Sequence, residues 1–251
     1  MTRRTLFQSP TALLAAGQAG RPNPTVEENQ KPGTTDWQLK YYQRDRATGS
    51  SLRSPAIEGY ASDTSVYAGD AIDLHISTDP ARQFTIDFYR TGYYGGNGGR
   101  HMLHVGQLDG TVQDVPLMGM ERARECKWKS AYRLQVPKEW RSGVYLAKMS
   151  VVGVPAQAYI VFVVKERRAA DLLFQVSDFT WQAYNKWPGW DSMYDTGINY
   201  RNNGFSYTGP NVRVSFDRPY GFYGQVHDVV LSNGSGEYLL WEHPMSYWFE
   251  Q

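Results

Sequence analysis

Residues Ala71–Tyr89 read AIDLHISTDPARQFTIDFY, two runs of alternating apolar and polar side chains parted by the turn signal Asp79-Pro80. Ile72, Leu74 and Ile76 alternate with Asp73, His75 and Ser77, and Phe84, Ile86 and Phe88 alternate with Thr85, Asp87 and Tyr89. Successive side chains of a strand point to opposite faces, so a period of two predicts strands with one face buried. Tyr132, Leu134 and Val136 repeat the pattern, and the apolar run Tyr159–Val164 closes it. Turn signals lie between the runs at Ala68-Gly69-Asp70, Asp109-Gly110, Val136-Pro137 and Ser142-Gly143. Short strands at this spacing predict an immunoglobulin-like antiparallel β-sandwich over residues 55–166, expected to fold on its own.

The chain has 251 residues, 41% hydrophobic and 14% aromatic, enough for a substantial core in one large or two ordinary domains. Lys and Arg total 26 against 25 Asp and Glu, for a formal charge of +1. With no basic stripe, neither nucleic acid nor a membrane surface is an expected partner. Cys126 is the only cysteine, which excludes an intrachain disulfide and a thiolate metal cluster. It reads as a small residue beside a surface strand; Arg124, Lys127 and Lys129 would lower its pKa if it were exposed.

Residues 1–20 carry Arg3-Arg4, then Leu13-Leu14-Ala15-Ala16 and the small residues Gly17-Gln18-Ala19. Two readings stay open there: a twin-arginine export signal, which would make the protein periplasmic or secreted, and a disordered tail. Residues 21–54 are rich in Pro, Gly and polar side chains and read as an extended lead-in that packs a few aromatics onto the sandwich. Tyr93–Arg100, YYGGNGGR, suits a tight hairpin tip; it lacks the Lys-Ser/Thr of a nucleotide loop. His101 and His104, three apart on a strand, are expected on opposite faces and unsuited to sharing a metal.

Lys165-Glu166-Arg167-Arg168 marks the expected boundary with a second unit, residues 167–251. Leu172, Leu173, Phe174 and Val176 predict a buried strand that opens a new α/β sheet, and Val212–Phe216 is a further strand candidate. Trp181, Tyr184, Trp187, Trp190 and Tyr194 follow that run, at the rim where open α/β sheets bind ligands. They form either a packed aromatic corner or a surface facing a substrate or a metal. Tyr200–Gly209 reads as a loop, and Glu237–Glu250 has helical spacing, with Pro244 tolerable near a helix start. No run approaches the 18 or so apolar residues of a membrane span.

Several separate motifs carry a family resemblance in order: Glu28-Asn29, Pro32-Gly33-Thr34, Asp36-Trp37, Ile57-Glu58-Gly59-Tyr60-Ala61-Ser62 and Tyr89-Arg90-Thr91-Gly92-Tyr93-Tyr94-Gly95-Gly96. Thr180-Trp181-Gln182-Ala183-Tyr184-Asn185, Ser192-Met193-Tyr194 and Ser215-Phe216-Asp217-Arg218-Pro219-Tyr220 continue it. From Glu28 to Gln251 the chain resembles the large (β) subunit of N,N-dimethylformamidase. The resemblance implies a β-sandwich followed by an amidotransferase-like α/β domain, of which 167–251 would be the start. It further implies a mononuclear iron, held by two tyrosines and a glutamate, that hydrolyses a small N-substituted formamide. Tyr184 and Tyr194 match the two tyrosines; phenolate oxygen is a hard ligand suited to ferric iron, which would polarise an amide carbonyl. Glu242 does not match the glutamate, so the chain is expected to lack the third ligand and to be inactive alone. Pro188 stands where the family commonly has glycine, stiffening the loop that carries Tyr194. A small amide substrate and association with further copies or a small subunit complete the expectation. The alternative is a secreted sandwich module whose aromatics stack on a ligand.

Overall fold

The computed structural model describes residues 23–41, 53–189, 192–194, 212–221 and 232–251. Trp190, the Tyr200–Gly209 loop and the twin-arginine stretch lie outside them. The protein is mainly β. Strands β1 (Glu58–Ala61), β3 (Ala71–Ser77) and β6 (Ser130–Gln135) form one antiparallel sheet in the order β1-β3-β6. The other sheet runs β2-β8-β7-β4-β5, from β2 (Ser65–Tyr67), β8 (Gln157–Lys165), β7 (Gly143–Val151), β4 (Gln83–Thr91) and β5 (Gly99–Asp109). Its one parallel pairing joins β2 to β8. The sandwich expected from the alternating runs is thus present.

Its core includes the residues that alternation selected. Ile72, Leu74 and Ile76 from one sheet meet Phe84, Ile86, Phe88 and Phe162 from the other, all nearly or fully buried. Trp140 stacks on Tyr145 within the same core, with ring centroids 4.8 Å apart. Strands β7 and β8 read differently, because they are buried along almost their whole length on both faces. Val144, Leu146, Tyr159 and Val161 point away from the core into a second cluster with Trp37, Leu39, Trp181 and Tyr238.

That outer cluster is built from both chain ends. The lead-in begins with helix α1 (Pro24–Asn29), capped by Asn23, whose Oδ1 accepts Thr25 N–H at 3.0 Å. Asn29 Oδ1 accepts the N–H groups of Tyr93 and Tyr94, both at 2.9 Å, fixing the glycine-rich tip. Trp37 then lies over that tip, donating Nε1–H to Asn97 O at 2.9 Å. Tyr159 hydroxyl donates to Trp37 O at 2.6 Å, so the lead-in is bonded to the sheet as well as packed on it. The tip is structural, as its composition predicted, with Gly95, Gly96 and Gly98 all at positive φ.

Helix α3 (His243–Phe249) follows a π-turn at Tyr238–Glu242 and has Pro244 in its first turn, as the helical spacing predicted. Its approach sets Tyr238 hydroxyl 2.7 Å from Thr91 Oγ1 and 2.8 Å from Ser246 Oγ. Trp241, Met245 and Trp248 remain exposed on its other side. Gly234 (φ 83°) crosses β8 so closely that a Cβ there would stand 2.0 Å from Tyr159 O.

Three expectations are corrected. Leu172–Val176 is not a strand: Leu172 is 72% and Leu173 90% exposed, and no described strand lies beside them to accept their backbone groups. Val212–Phe216 is irregular too, with Arg213 N–H bonded to Glu121 O at 2.9 Å. Without ladder partners an apolar run gains nothing from extended geometry. Among the described residues no strand follows β8.

His101 and His104 share a face rather than opposing each other. Asp87 pairs with His104, Phe88 with Leu103 and Tyr89 with His101, so Met102 is an extra residue that shifts the register by one. Both imidazoles reach Asp87 Oδ1, at 3.0 and 2.8 Å.

Candidate functional site

Helix α2 (Asp178–Tyr184) carries the first predicted ligand, Tyr184, on its last turn. The tyrosine therefore ends a short helix and not a strand. Both helix ends are tied to other elements. At the N-terminal end Glu242 accepts Ser177 N–H at 3.0 Å and Trp181 Nε1–H at 3.0 Å, supplying the carboxylate that a helix start favours. At the C-terminal end the buried guanidinium of Arg218 donates to Gln182 O at 3.0 Å and Trp187 O at 3.1 Å. Gln182 O lies in the last turn, where a helix runs out of internal partners, and Trp187 O lies three residues beyond it.

Tyr194 is brought to Tyr184 by the chain that follows. Met193 N–H bonds Ala183 O at 3.0 Å, and Tyr194 N–H bonds Ser192 Oγ at 3.2 Å. The Tyr184 and Tyr194 rings lie 4.7 Å apart between centroids, tilted by 46°. Tyr184 is half-buried and Tyr194 is 43% exposed, so the pair sits at the surface.

The tryptophans of the cluster have other duties. Trp181, 4% exposed, packs on Tyr238 in the outer cluster. Trp187, 1% exposed, donates Nε1–H to Glu58 Oε2 at 2.7 Å and meets Trp128 edge-on at 6.0 Å. Glu58 is itself buried and paired with Arg53. These indoles form a packed corner, whereas among the described members of the cluster the two phenols remain accessible. The corner closes over Cys126, whose thiol burial pushes up to about 12, with the Glu58 charge adding to the effect. Arg124, Lys127 and Lys129 do not activate it, because Cys126 is buried rather than exposed.

Glu237 is the most perturbed carboxyl nearby. Burial, and then the charge of Glu242, raises its pKa to about 7. Its Oε1 is buried without a hydrogen-bond partner among the described residues. A small cleft between β1, β8 and α2 is lined by Tyr60, Phe162, Trp181, Gln182, Arg218 and Tyr220. Neither Tyr184 nor Tyr194 lines it.

No cluster of three or more His, Cys, Asp or Glu side chains among the described residues could hold a metal ion. Tyr184 and Tyr194 bring two phenol rings into contact, and phenolate oxygen is a ligand type that suits a hard ferric ion. Sequence reading singled out both tyrosines but not the groups that bracket them in the structure. Gln182, Asn185 and Arg218 lay inside quoted motifs, but the bonding of Arg218 to the other two spans more than 30 positions and left no signal in the sequence.

A model of the family described as N,N-dimethylformamidase beta subunit-like, C-terminal, matches residues 85–251. The match begins inside β4 and runs through the outer cluster, α2 and α3. No curated protein matches the chain. The family match covers about two thirds of the sequence, including the tyrosine pair, and the chain belongs to the N,N-dimethylformamidase beta subunit-like family.

Proposed function

We propose that Tyr184 and Tyr194 hold a mononuclear iron and that the protein takes part in hydrolysis of a small N-substituted formamide, to formate and an amine. The observation that carries this reading is the 4.7 Å contact between two phenol rings drawn from separate segments. Iron in such a site would supply Lewis acidity toward the amide carbonyl and toward water. The protein's own contribution is placement. Tyr184 is fixed at a helix end bonded on both sides, and Tyr194 follows through Met193. The exposure of Tyr194 leaves the pair open to a small substrate. Trp181 and Trp187 are buried and offer no face for stacking a ligand, so the reading as an aromatic binding module would have to use the accessible Tyr184 and Tyr194.

The test is ferric-ion loading of the chain and of Tyr184→Phe and Tyr194→Phe. Phenolate-to-iron charge transfer should give visible absorbance in the parent and lose most of it in either variant. Removal of one hydroxyl should leave the sheet circular dichroism unchanged. Equal iron content in all three proteins would sink the assignment. Formate release from dimethylformamide then measures whether the iron-loaded chain turns over.

A further inference from the structure

We infer that Arg218 positions the Tyr184–Tyr194 pair, and that it does so through the fork of its guanidinium rather than through charge alone. Arg218 is 4% exposed, and its donors spread over the backbone on both sides of Tyr184. Nη2 donates to Gln182 O at 3.0 Å and to Asn185 O at 3.4 Å, and Nη1 to Trp187 O at 3.1 Å. Nε donates to Gln182 Oε1 at 3.0 Å, and that oxygen also accepts Asn185 Nδ2–H at 3.1 Å.

Asn185 completes the frame. Its Oδ1 accepts Trp187 N–H at 3.0 Å and Gly221 N–H at 3.1 Å, while Nδ2 also donates to Pro219 O at 2.9 Å. The backbone before and after Tyr184 is thereby held against residues 218–221, a segment 36 positions away from Gln182 by way of Arg218. Tyr194 inherits the placement because Met193 N–H bonds Ala183 O, one residue before Tyr184.

Burying a guanidinium is costly unless its donors are satisfied, and an apolar side chain could fill the same volume. What an apolar side chain cannot do is bond three carbonyls and an amide oxygen in one plane. Lysine keeps the charge but offers a compact ammonium in place of the planar fork, so Arg218→Lys separates the two roles. The inference bears on the same site as the proposed iron function and rests on it only where iron is measured.

The full 251-residue chain carries the test, with fluorotyrosine at position 194 reporting the neighbouring ring. In the metal-free protein, Arg218→Lys and Asn185→Ala should move the fluorine resonance toward its position in Tyr184→Ala, where the ring contact is gone. Sheet circular dichroism should stay at the parent value, as in the control Arg133→Gln, an exposed arginine on β6. After ferric loading, either variant should hold iron about 10–100-fold more weakly, the usual effect of losing a supporting group. If the resonance moves but Tyr184→Phe leaves iron content unchanged, the positioning role stands and the iron reading falls. If the resonance of Arg218→Lys stays at the parent position, the inference is overturned. Loss of the sheet spectrum in both variants overturns it too, since the network would then hold the whole fold and not the pair.

Discussion

Arg90 and Glu250 meet as a two-pronged ion pair, Nη1 to Oε2 at 2.8 Å and Nη2 to Oε1 at 2.6 Å, although 160 positions separate them. Arg90 is 1% exposed and also donates to Ser142 O at 2.8 Å and Tyr94 Oη at 3.0 Å. The pair fastens the end of α3 to β4. Truncating one partner of a buried pair leaves an uncompensated charge, at a cost of about 3–5 kcal/mol. Glu250→Ala should lie near the lower end of that range, because Ser142 O and Tyr94 Oη still face the guanidinium. The midpoint of urea unfolding measures it. A loss under roughly 1 kcal/mol would place the pair among exposed bridges.

Glu237 gives stability a pH dependence of unusual sign. The folded carboxyl keeps its proton up to about pH 7, whereas the ordinary value is 4.5. Between those values the folded state binds more protons than the unfolded one, so this group's contribution is full below pH 4.5 and is lost as pH rises through about 7. Glu237→Gln removes the ionisation and should raise stability at pH 8 by on the order of 2 kcal/mol. At pH 4 the two proteins should unfold together. A gain of equal size at both pH values would mean that charge is not the cause.

Cys126 should be inert toward thiol reagents in the folded protein, since it is 4% exposed and its thiol stays protonated up to about pH 12. Its labelling at pH 8 is expected to track global unfolding in urea. Rapid labelling without denaturant would show that the corner formed by Tyr60, Trp128 and Trp187 opens locally.

Phe88 sits at the centre of the sandwich, fully buried, with the rings of Trp140 and Phe162 at 6.1 and 6.3 Å. Phe88→Ala should cost about 3–5 kcal/mol. His104→Ala, exposed on the neighbouring strand, should stay within about 0.5 kcal/mol of the parent. Thermal or urea unfolding compares them directly.

Strands such as β3 and the first part of β4 were legible because each has one wetter face, and alternation records that directly. Ile72, Leu74 and Ile76 needed no tertiary knowledge. The bulge at Met102 left no such trace: one inserted residue reverses every later side chain, and only the pairing with β4 shows where. Leu172–Val176 misled for the opposite reason, as an apolar run states a preference for burial but not whether a partner is available to provide it. Tyr184 and Tyr194 were singled out through family motifs. Their contact, and the amide and guanidinium groups that bracket Tyr184, depend on segments far apart in the chain.

Strands β7 and β8 have no dry face to spare and no wet one either. Val144, Leu146, Tyr159 and Val161 would all meet solvent if the chain were cut after β8 and its lead-in removed. The sandwich is therefore a poor candidate for transplantation as a cassette into another protein. A grafted copy would need polar replacements at those positions or would have to bring its own cladding. Shuffling of this fold between proteins should accordingly move the sheet together with the segments that upholster it.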